Sequence, residues 1–83
     1  MNAINATIDL TMLTPTTLAT IAAEMSQFLA TQYDGTDVIS YQEWNAMHRE
    51  LTKVVLQLDA CVGTDTDDFL MEAGADPEVI YDN

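Results

Sequence analysis

Carboxylates are the side chains of this sequence with the largest capacity for chemistry. Among 83 residues there are fourteen Asp and Glu and only two basic residues, Arg49 and Lys53, so the formal net charge is −12. An acid excess of this size repels nucleic acid and anionic membranes and attracts basic surfaces. We therefore expect no direct nucleic-acid partner and no membrane partner. The expected partner is a basic protein surface, above all that of a nucleic-acid-binding protein or complex.

The acids fall into two groups along the chain. One group surrounds the predicted turn between the first two helices, and the other follows Lys53, in a stretch that contains no Lys or Arg. We predict that both groups contact the partner. The predicted partner-binding residues are Asp34, Asp37, Glu43, Asp59, Asp65, Asp67, Asp68, Glu72, Asp76 and Glu78.

Three acids of the second group have a helical spacing. Asp65, Asp68 and Glu72 are three and four positions apart, which on a helix places them on one face with Cβ atoms about 5–6 Å apart. Like charges at this spacing destabilise a helix, and a merely solvated face normally mixes both signs. The spacing is comparable with that of neighbouring phosphates on a nucleic-acid strand. Such a row of carboxylates could occupy an Arg- and Lys-rich channel built for DNA or RNA.

In size, acidity and predicted helical build, the chain resembles the small DNA-mimic inhibitors that phages make against host defences, the anti-restriction and anti-CRISPR proteins. The resemblance covers the whole chain loosely and rests on composition rather than on a motif. It implies a non-catalytic protein that inhibits a nucleic-acid-binding host protein by presenting carboxylates in place of phosphates. The alternative is a generic helical protein–protein interaction or homo-oligomeric assembly module, whose acidity serves solubility.

Residues 32–43 resemble the calcium loop of an EF-hand. Ser40 and Glu43 stand where that family has its ninth-position residue and its bidentate Glu. Gln32, however, stands where the first ligand Asp belongs, and Asp37 replaces the Gly of the sixth position. A degenerate EF-hand-like calcium binder is therefore a minor alternative, and we predict no metal site and no cofactor.

The residue types for nucleophilic catalysis are scarce. His48 is the only histidine, and no Ser or Cys nucleophile stands at a recognisable spacing from it. Cys61 falls on the predicted apolar seam of the second helix, where a buried, inert thiol is expected. Residues 74–76, Gly-Ala-Asp, resemble the attachment motif of acyl carrier proteins, but Pro77 stands where that family has the Ser that carries the prosthetic group. We expect no enzymatic activity.

The predicted fold is mainly α, a small three-helix bundle built on an antiparallel helical hairpin in a single domain. The first helix spans 15–33, because Thr14 and Pro15 are a start signal and Asp34-Gly35 forms a turn. The short connection to the next helix favours the hairpin. The apolar stripe of this helix consists of Leu18, Ile21, Met25, Phe28 and Gln32, with Ala22 and Leu29 beside it.

The second helix is predicted over 41–62. Ser40 and Glu43 form a capping box at its start, and Gly63 is a natural cap at its end. Its apolar seam consists of Trp44, Met47, Leu51, Val54, Leu58 and Cys61, at alternating spacings of three and four.

A short third helix is predicted over 65–73, with one further turn at 77–81. Thr64 or Asp65 can cap the third helix, and Gly74 ends it. The terminal turn repeats the start signal with Asp76 and Pro77.

Residues 1–13 are predicted to form an N-terminal arm, because apolar and polar side chains alternate over 4–12 as in a half-buried strand. We expect an extended arm laid on the helices or an edge strand that pairs in a homodimer. The N-terminus has no basic signal-peptide start, and no apolar run is long enough to span a bilayer. A cytoplasmic protein is expected, in the cytoplasm of the host cell if a phage encodes it.

Overall fold

The structure is a computed structural model that describes residues 9–32 and 39–81. These residues form a small helical bundle, as predicted, and contain no β-strand. The α-helices are α1 (Pro15–Thr31), α2 (Tyr41–Val62), α3 (Thr66–Ala73) and the one-turn α4 (Pro77–Ile80). Two single turns of 3₁₀ helix, Leu10–Met12 and Gly63–Asp65, precede α1 and α3.

Helix α1 lies in the middle of the bundle, where it contacts α2, α3 and α4. Its start is the predicted one, since Thr14 Oγ1 accepts a hydrogen bond from Thr17 N and Pro15 occupies the first helical position. The buried residues of α1 are Leu18, Ala19, Ala22, Ala23, Ser26 and Leu29. Four of these six are Ala or Ser, so neighbouring helices can approach α1 closely on more than one side.

The predicted apolar stripe of α1 is wrong at Phe28. Its side chain is 41% exposed, whereas Ala19, Ala23 and Ser26, which the stripe omitted, are buried. A single stripe is what one packing partner would bury. Helix α1 has three packing partners, and these partners together cover a wider arc of the helix, which contains small residues.

Helices α1 and α2 form the predicted antiparallel hairpin. Trp44 Nε1 donates a hydrogen bond to Leu29 O at 3.0 Å, which places the start of α2 beside the end of α1. The 3₁₀ turn Leu10–Met12, just before α1, also contacts α2. The last described residue of this part is Gln32, the C-cap of α1; Tyr33, the predicted last residue of the helix, lies outside the described residues.

Helix α2 has the predicted bounds and the predicted capping box. Ser40 N donates to the Glu43 carboxylate at 2.9 Å, and Glu43 N donates to Ser40 Oγ at 3.1 Å. The buried residues of α2 are Leu51, Val54, Val55 and Leu58. Leu51, Val54 and Leu58 form the centre of the predicted apolar seam, and Val55 lies beside it.

The predicted burial of Cys61 is wrong, because this thiol is exposed. Val62, in the same turn of α2, is half-buried and packs against the core. The last turn of α2 therefore packs through Val62 and leaves Cys61 in solvent. The side of the helix that is buried changes at its end, where the regular spacing of the seam no longer predicts burial.

Helix α3 begins one residue later than predicted. Asp65 belongs to the preceding 3₁₀ turn, and its side chain makes no capping hydrogen bond. Thr66 Oγ1 lies instead 2.8 Å from Gly63 O and 3.0 Å from Asp59 Oδ1. Asp65 therefore stands at the N-cap position, as predicted, but makes no capping hydrogen bond, and Thr66 makes the connection to α2. The end is as predicted: Gly74 has a φ of 87°, in the left-handed region that favours glycine.

Polar side chains of α1 and α2 hold the α3–α4 segment in place. Each bond joins a side chain of the hairpin to a backbone atom of residues 74–79. The three pairs are Ser26 Oγ with Asp76 N (2.9 Å), Gln27 Nε2 with Gly74 O (2.6 Å) and His48 Nε2 with Val79 O (2.7 Å). The hairpin therefore fixes the end of the chain by directed hydrogen bonds as well as by apolar contact.

The predicted extended arm is wrong over Leu10–Met12, which is a turn of 3₁₀ helix; residues 4–8 of the predicted strand lie outside the described residues. Asp9 causes the turn locally, because its carboxylate accepts hydrogen bonds from the hydroxyl and the backbone N of Thr11. Such local bonds compete with a strand. The same bonds, that of the hydroxyl first, lower the pKa of Asp9.

Candidate functional site

The predicted acids are separated by the length of α2. Asp34 and Asp37 lie outside the described residues, and Glu43 lies in the first turn of α2. Glu43 is sixteen residues before Asp59 in the same helix, which is about 24 Å along the axis. The other predicted acids follow at the far end of α2, on α3 and at α4. The structure therefore brings the second group together and leaves Glu43 apart from it.

Four of the predicted acids have a role in folding. Glu43 and Asp76 cap α2 and α4, where Asp76 Oδ1 accepts from Glu78 N at 3.0 Å. Asp59 Oδ1 lies 3.0 Å from Thr66 Oγ1, and Asp67 Oδ1 accepts from Tyr81 Oη at 2.6 Å. The charges of these acids remain, but their carboxylates are partly occupied by the fold.

Asp65, Asp68 and Glu72, here called the acidic row, make no such hydrogen bond within the described residues. All three are exposed, and none of their carboxylates has a hydrogen bond or ion pair with a described residue. Asp68 and Glu72 are neighbours on the outer face of α3, while Asp65 precedes the helix in the 3₁₀ turn. The like charges repel each other at this spacing.

No cation lies close to the acidic row in the sequence, because Lys53 is the last basic residue of the chain. Lys53 Nζ pairs with Glu50 at 3.0 Å, and both side chains are more than half exposed, so this pair contributes little to stability. His48, the single histidine of the sequence, stacks on Trp44 with ring centroids 5.1 Å apart and donates to Val79 O. It is therefore a packing residue between α2 and α4.

An apolar groove lies beside the row, between α3 and α4. Its volume is about 440 Å³, and it is lined by Asp67, Leu70, Met71, Ala75, Pro77, Ile80 and Tyr81. A second groove of about 350 Å³ adjoins it, with Leu56 and Val55 on its wall. Asp67 and Tyr81 line both grooves.

The groove was not predicted from the sequence. Met71 and Leu56 are 73% and 62% exposed, on the polar sides of α3 and α2. In the sequence, each of these two residues is a large apolar residue outside the core stripe of its helix. Single residues of this kind are common on protein surfaces, so the sequence alone did not indicate a groove. The groove becomes visible only in the structure, where Tyr81 lines both cavities.

The hydroxyl of Tyr81 connects the end of the chain to α3. Its hydrogen bond to Asp67, followed by partial burial and by the negative charges of Asp67 and Asp59, raises the pKa of Tyr81 to about 12. All these causes favour the neutral phenol. At neutral pH, the protonated hydroxyl of Tyr81 therefore donates a hydrogen bond to Asp67, and it forms the polar end of the groove.

Metal and nucleophile chemistry find little support in the described residues. Residues 9–32 and 39–81 contain no group of three His, Cys, Asp or Glu side chains arranged for a metal ion. Glu43, the bidentate ligand in the EF-hand resemblance, accepts the hydrogen bond of Ser40 N in the capping box. His48 and Cys61 are thirteen residues apart on α2, about 20 Å along the axis, and do not form a Cys–His pair.

Comparison with known proteins finds no relative: no known protein family, no curated protein and no solved structure matches this chain. Among the helices of the described residues, none has the length and apolar character to cross a membrane.

Proposed function

We propose that this chain is a non-catalytic acidic binding protein that inhibits a nucleic-acid-binding protein or complex by presenting carboxylates in place of phosphates. The observation that supports the proposal is the acidic row. Its three exposed carboxylates repel one another, have no partner among the described residues and make no capping hydrogen bond at the start of α3. A partner with basic groups would relieve the repulsion.

The electrostatics explain how binding would proceed. A surface of net charge −12 attracts a basic channel over a distance of roughly 10 Å at moderate salt, so encounter is fast and salt-sensitive. Within the complex, Asp68 and Glu72 would occupy positions about as far apart as successive phosphates. Arg is the preferred partner residue, because its guanidinium binds carboxylate and phosphate in the same bidentate way.

The second candidate function is a helical protein–protein interaction or homo-oligomeric module. The apolar groove and the exposed side chains of Leu56 and Met71 favour it. A protein interface typically combines an apolar centre with a polar rim. The two functions differ in one property: only the mimic binds at the nucleic-acid site of its partner.

Competition for one purified partner separates these functions. The protein is immobilised, a basic partner is captured from nuclease-treated lysate and purified, and a labelled DNA or RNA duplex bound by that partner is then displaced with increasing protein. The mimic displaces the duplex, and the displacement weakens steeply as salt rises from about 50 to 200 mM. Two variants locate the effect: the neutral-row variant, Asp68→Asn with Glu72→Gln, and a matched control, Glu24→Gln with Glu50→Gln.

Both variants remove two negative charges from exposed helical positions. The proposal expects the neutral-row variant to displace the duplex at least about fivefold less well, and the control to stay within about twofold of the original chain. A partner that binds the protein and the duplex at the same time would exclude mimicry and favour the interaction module. Equal loss in both variants would show that net charge alone carries the binding.

A further inference from the structure

The groove between α3 and α4 has the size and lining of a docking site. Its volume of about 440 Å³ falls within the range of roughly 300–1,000 Å³ that is common for ligand sites. Leu70, Ala75, Pro77 and Ile80 make an apolar floor. Met71 is the wall of this groove and is among the most exposed large apolar residues of the described part of the chain.

Charge placement identifies the kind of occupant. Asp67 and Asp68 precede Met71 by four and three residues in α3, so on the helix surface both lie next to it. Asp67 also belongs to the lining, at the end where Tyr81 stands. A group that enters the groove beside Met71 is therefore flanked by two carboxylates. No lysine or arginine follows Lys53 to balance them.

From this arrangement we infer that the α3–α4 groove receives an apolar side chain of the partner that stands next to an Arg or Lys in the partner's sequence. The apolar side chain is buried against Met71 and Ile80, and the neighbouring cation pairs with Asp67 or Asp68. The flexible thioether of Met71 adapts to aliphatic and aromatic side chains alike. The inference rests on the proposed function in one respect, which is that the partner is basic. It adds an apolar contact, which electrostatic attraction alone does not provide.

A second copy of this chain is a poorer occupant. It has the same net charge of −12, and its basic residues are limited to Arg49 and Lys53, of which Lys53 pairs with Glu50. Two such copies meeting at the groove would bring acids against acids. A partner segment with its own cations would instead be attracted to these acids.

Peptide titration of the full-length ¹⁵N-labelled protein tests the inference. The probe is a capped peptide of the sequence glycine-arginine-leucine-arginine-glycine, with two analogues in which alanine replaces leucine or glutamine replaces both arginines. Amide shift changes are expected at Leu70, Met71, Ala75 and Ile80. The leucine peptide is expected to bind about fivefold more tightly than the alanine peptide, because only leucine buries apolar area in the groove.

Matched variants then assign the preference to the groove. Met71→Ser removes the exposed wall and is expected to reduce the leucine preference below about twofold. Met12→Ser is the control, because Met12 is similarly exposed at 79% but belongs to the 3₁₀ turn before α1. Neither side chain is in the core, so both variants are expected to fold.

The outcomes also separate this inference from the proposed function. Equal binding of the leucine and alanine peptides, with affinity that still depends on Asp68 and Glu72, would overturn the groove and leave the proposed function intact. A leucine preference that survives in Met71→Ser would likewise overturn it. Shifts at the groove that depend on protein concentration without peptide would show a second copy as occupant and overturn the inference. A leucine preference with no dependence on the acidic row would instead contradict the proposed function.

Discussion

The α1–α2 hairpin and the α3–α4 segment are stabilised in different ways. Of the twelve buried apolar residues in the described core, nine belong to the hairpin and only Leu70, Val79 and Ile80 to the segment. The segment is held by directed hydrogen bonds to Ser26, Gln27 and His48. The hairpin therefore supplies most of the buried apolar side chains, while the outer surface of the segment has the carboxylates and a groove.

The largest expected effect is a cavity in the hairpin. Leu58→Ala removes a fully buried side chain of α2 and is expected to lower the free energy of unfolding by about 2–5 kcal/mol. Met71→Ala, at the exposed wall of the groove, is expected to change it by less than about 0.5 kcal/mol. Urea unfolding followed by circular dichroism measures both. Similar losses would mean that α3 belongs to the core as fully as α2.

The next effect tests the hydrogen bonds that hold the segment. Ser26 is fully buried and accepts from Asp76 N, so Ser26→Ala leaves that N–H without its partner and is expected to cost about 1–3 kcal/mol. The control is Thr20→Ala, since the Thr20 hydroxyl bonds only locally to Thr16 O on an exposed face. Hydrogen exchange should show faster exchange at Val79 and Ile80 in Ser26→Ala. Unchanged exchange there would show that apolar contact suffices to hold α4.

A smaller effect is expected from changes to the acids. Glu43 belongs to the capping box of α2, whereas the acidic row makes no capping hydrogen bond. Glu43→Ala removes half of the capping box of α2 and is expected to destabilise the protein by about 0.5–1 kcal/mol. The neutral-row variant removes the repulsion between Asp68 and Glu72 but also the favourable interaction of Asp68 with the first turn of α3. The two effects oppose each other, so the variant is expected to change stability by less than about 0.5 kcal/mol. Thermal unfolding at two salt concentrations measures both variants. A neutral-row variant destabilised by more than about 1 kcal/mol would contradict the view that the row serves binding.

The smallest effect is the pH dependence of Tyr81. Its pKa in the folded state is about 12, above the ordinary value of 10.0, so its hydrogen bond to Asp67 stabilises the fold fully below pH 10 and is lost as pH rises towards 12. The phenol is more than half exposed, so the loss is small. The phenolate absorbance of the original chain minus that of Tyr81→Phe gives the titration. Asp67→Asn should move the pKa of Tyr81 towards 10. An unchanged titration curve would show that Asp67 does not raise this pKa.

The fold was predictable from the sequence where local signals and burial agree. Ser40, Glu43 and Gly63 mark both ends of α2, and these capping signals depend only on neighbouring residues. Phe28 and Cys61 were misplaced, because a periodic stripe does not show how many helices pack on it or where the buried side of the helix changes.

The candidate site was predictable only in its charge. The acidic row could be read from spacing and from the lack of cations after Lys53. The capping role of Asp76 could also be read, from the start signal Asp76-Pro77. The role of Asp67 in folding could not, because it depends on Tyr81, fourteen residues later. The groove depends on the placement of α4 by Ser26 and His48, which are far from it in the sequence.

Binding of a labelled nona-arginine peptide tests most directly whether the acidic row is kept for binding. The dissociation constant is measured by fluorescence anisotropy for the original chain, the neutral-row variant and the matched control. We expect Asp68→Asn with Glu72→Gln to weaken binding about fivefold and to lower its salt dependence, while Glu24→Gln with Glu50→Gln changes it by less than about twofold. Equal weakening by the two variants would contradict a binding role of the row, because the surface would then act through its net charge.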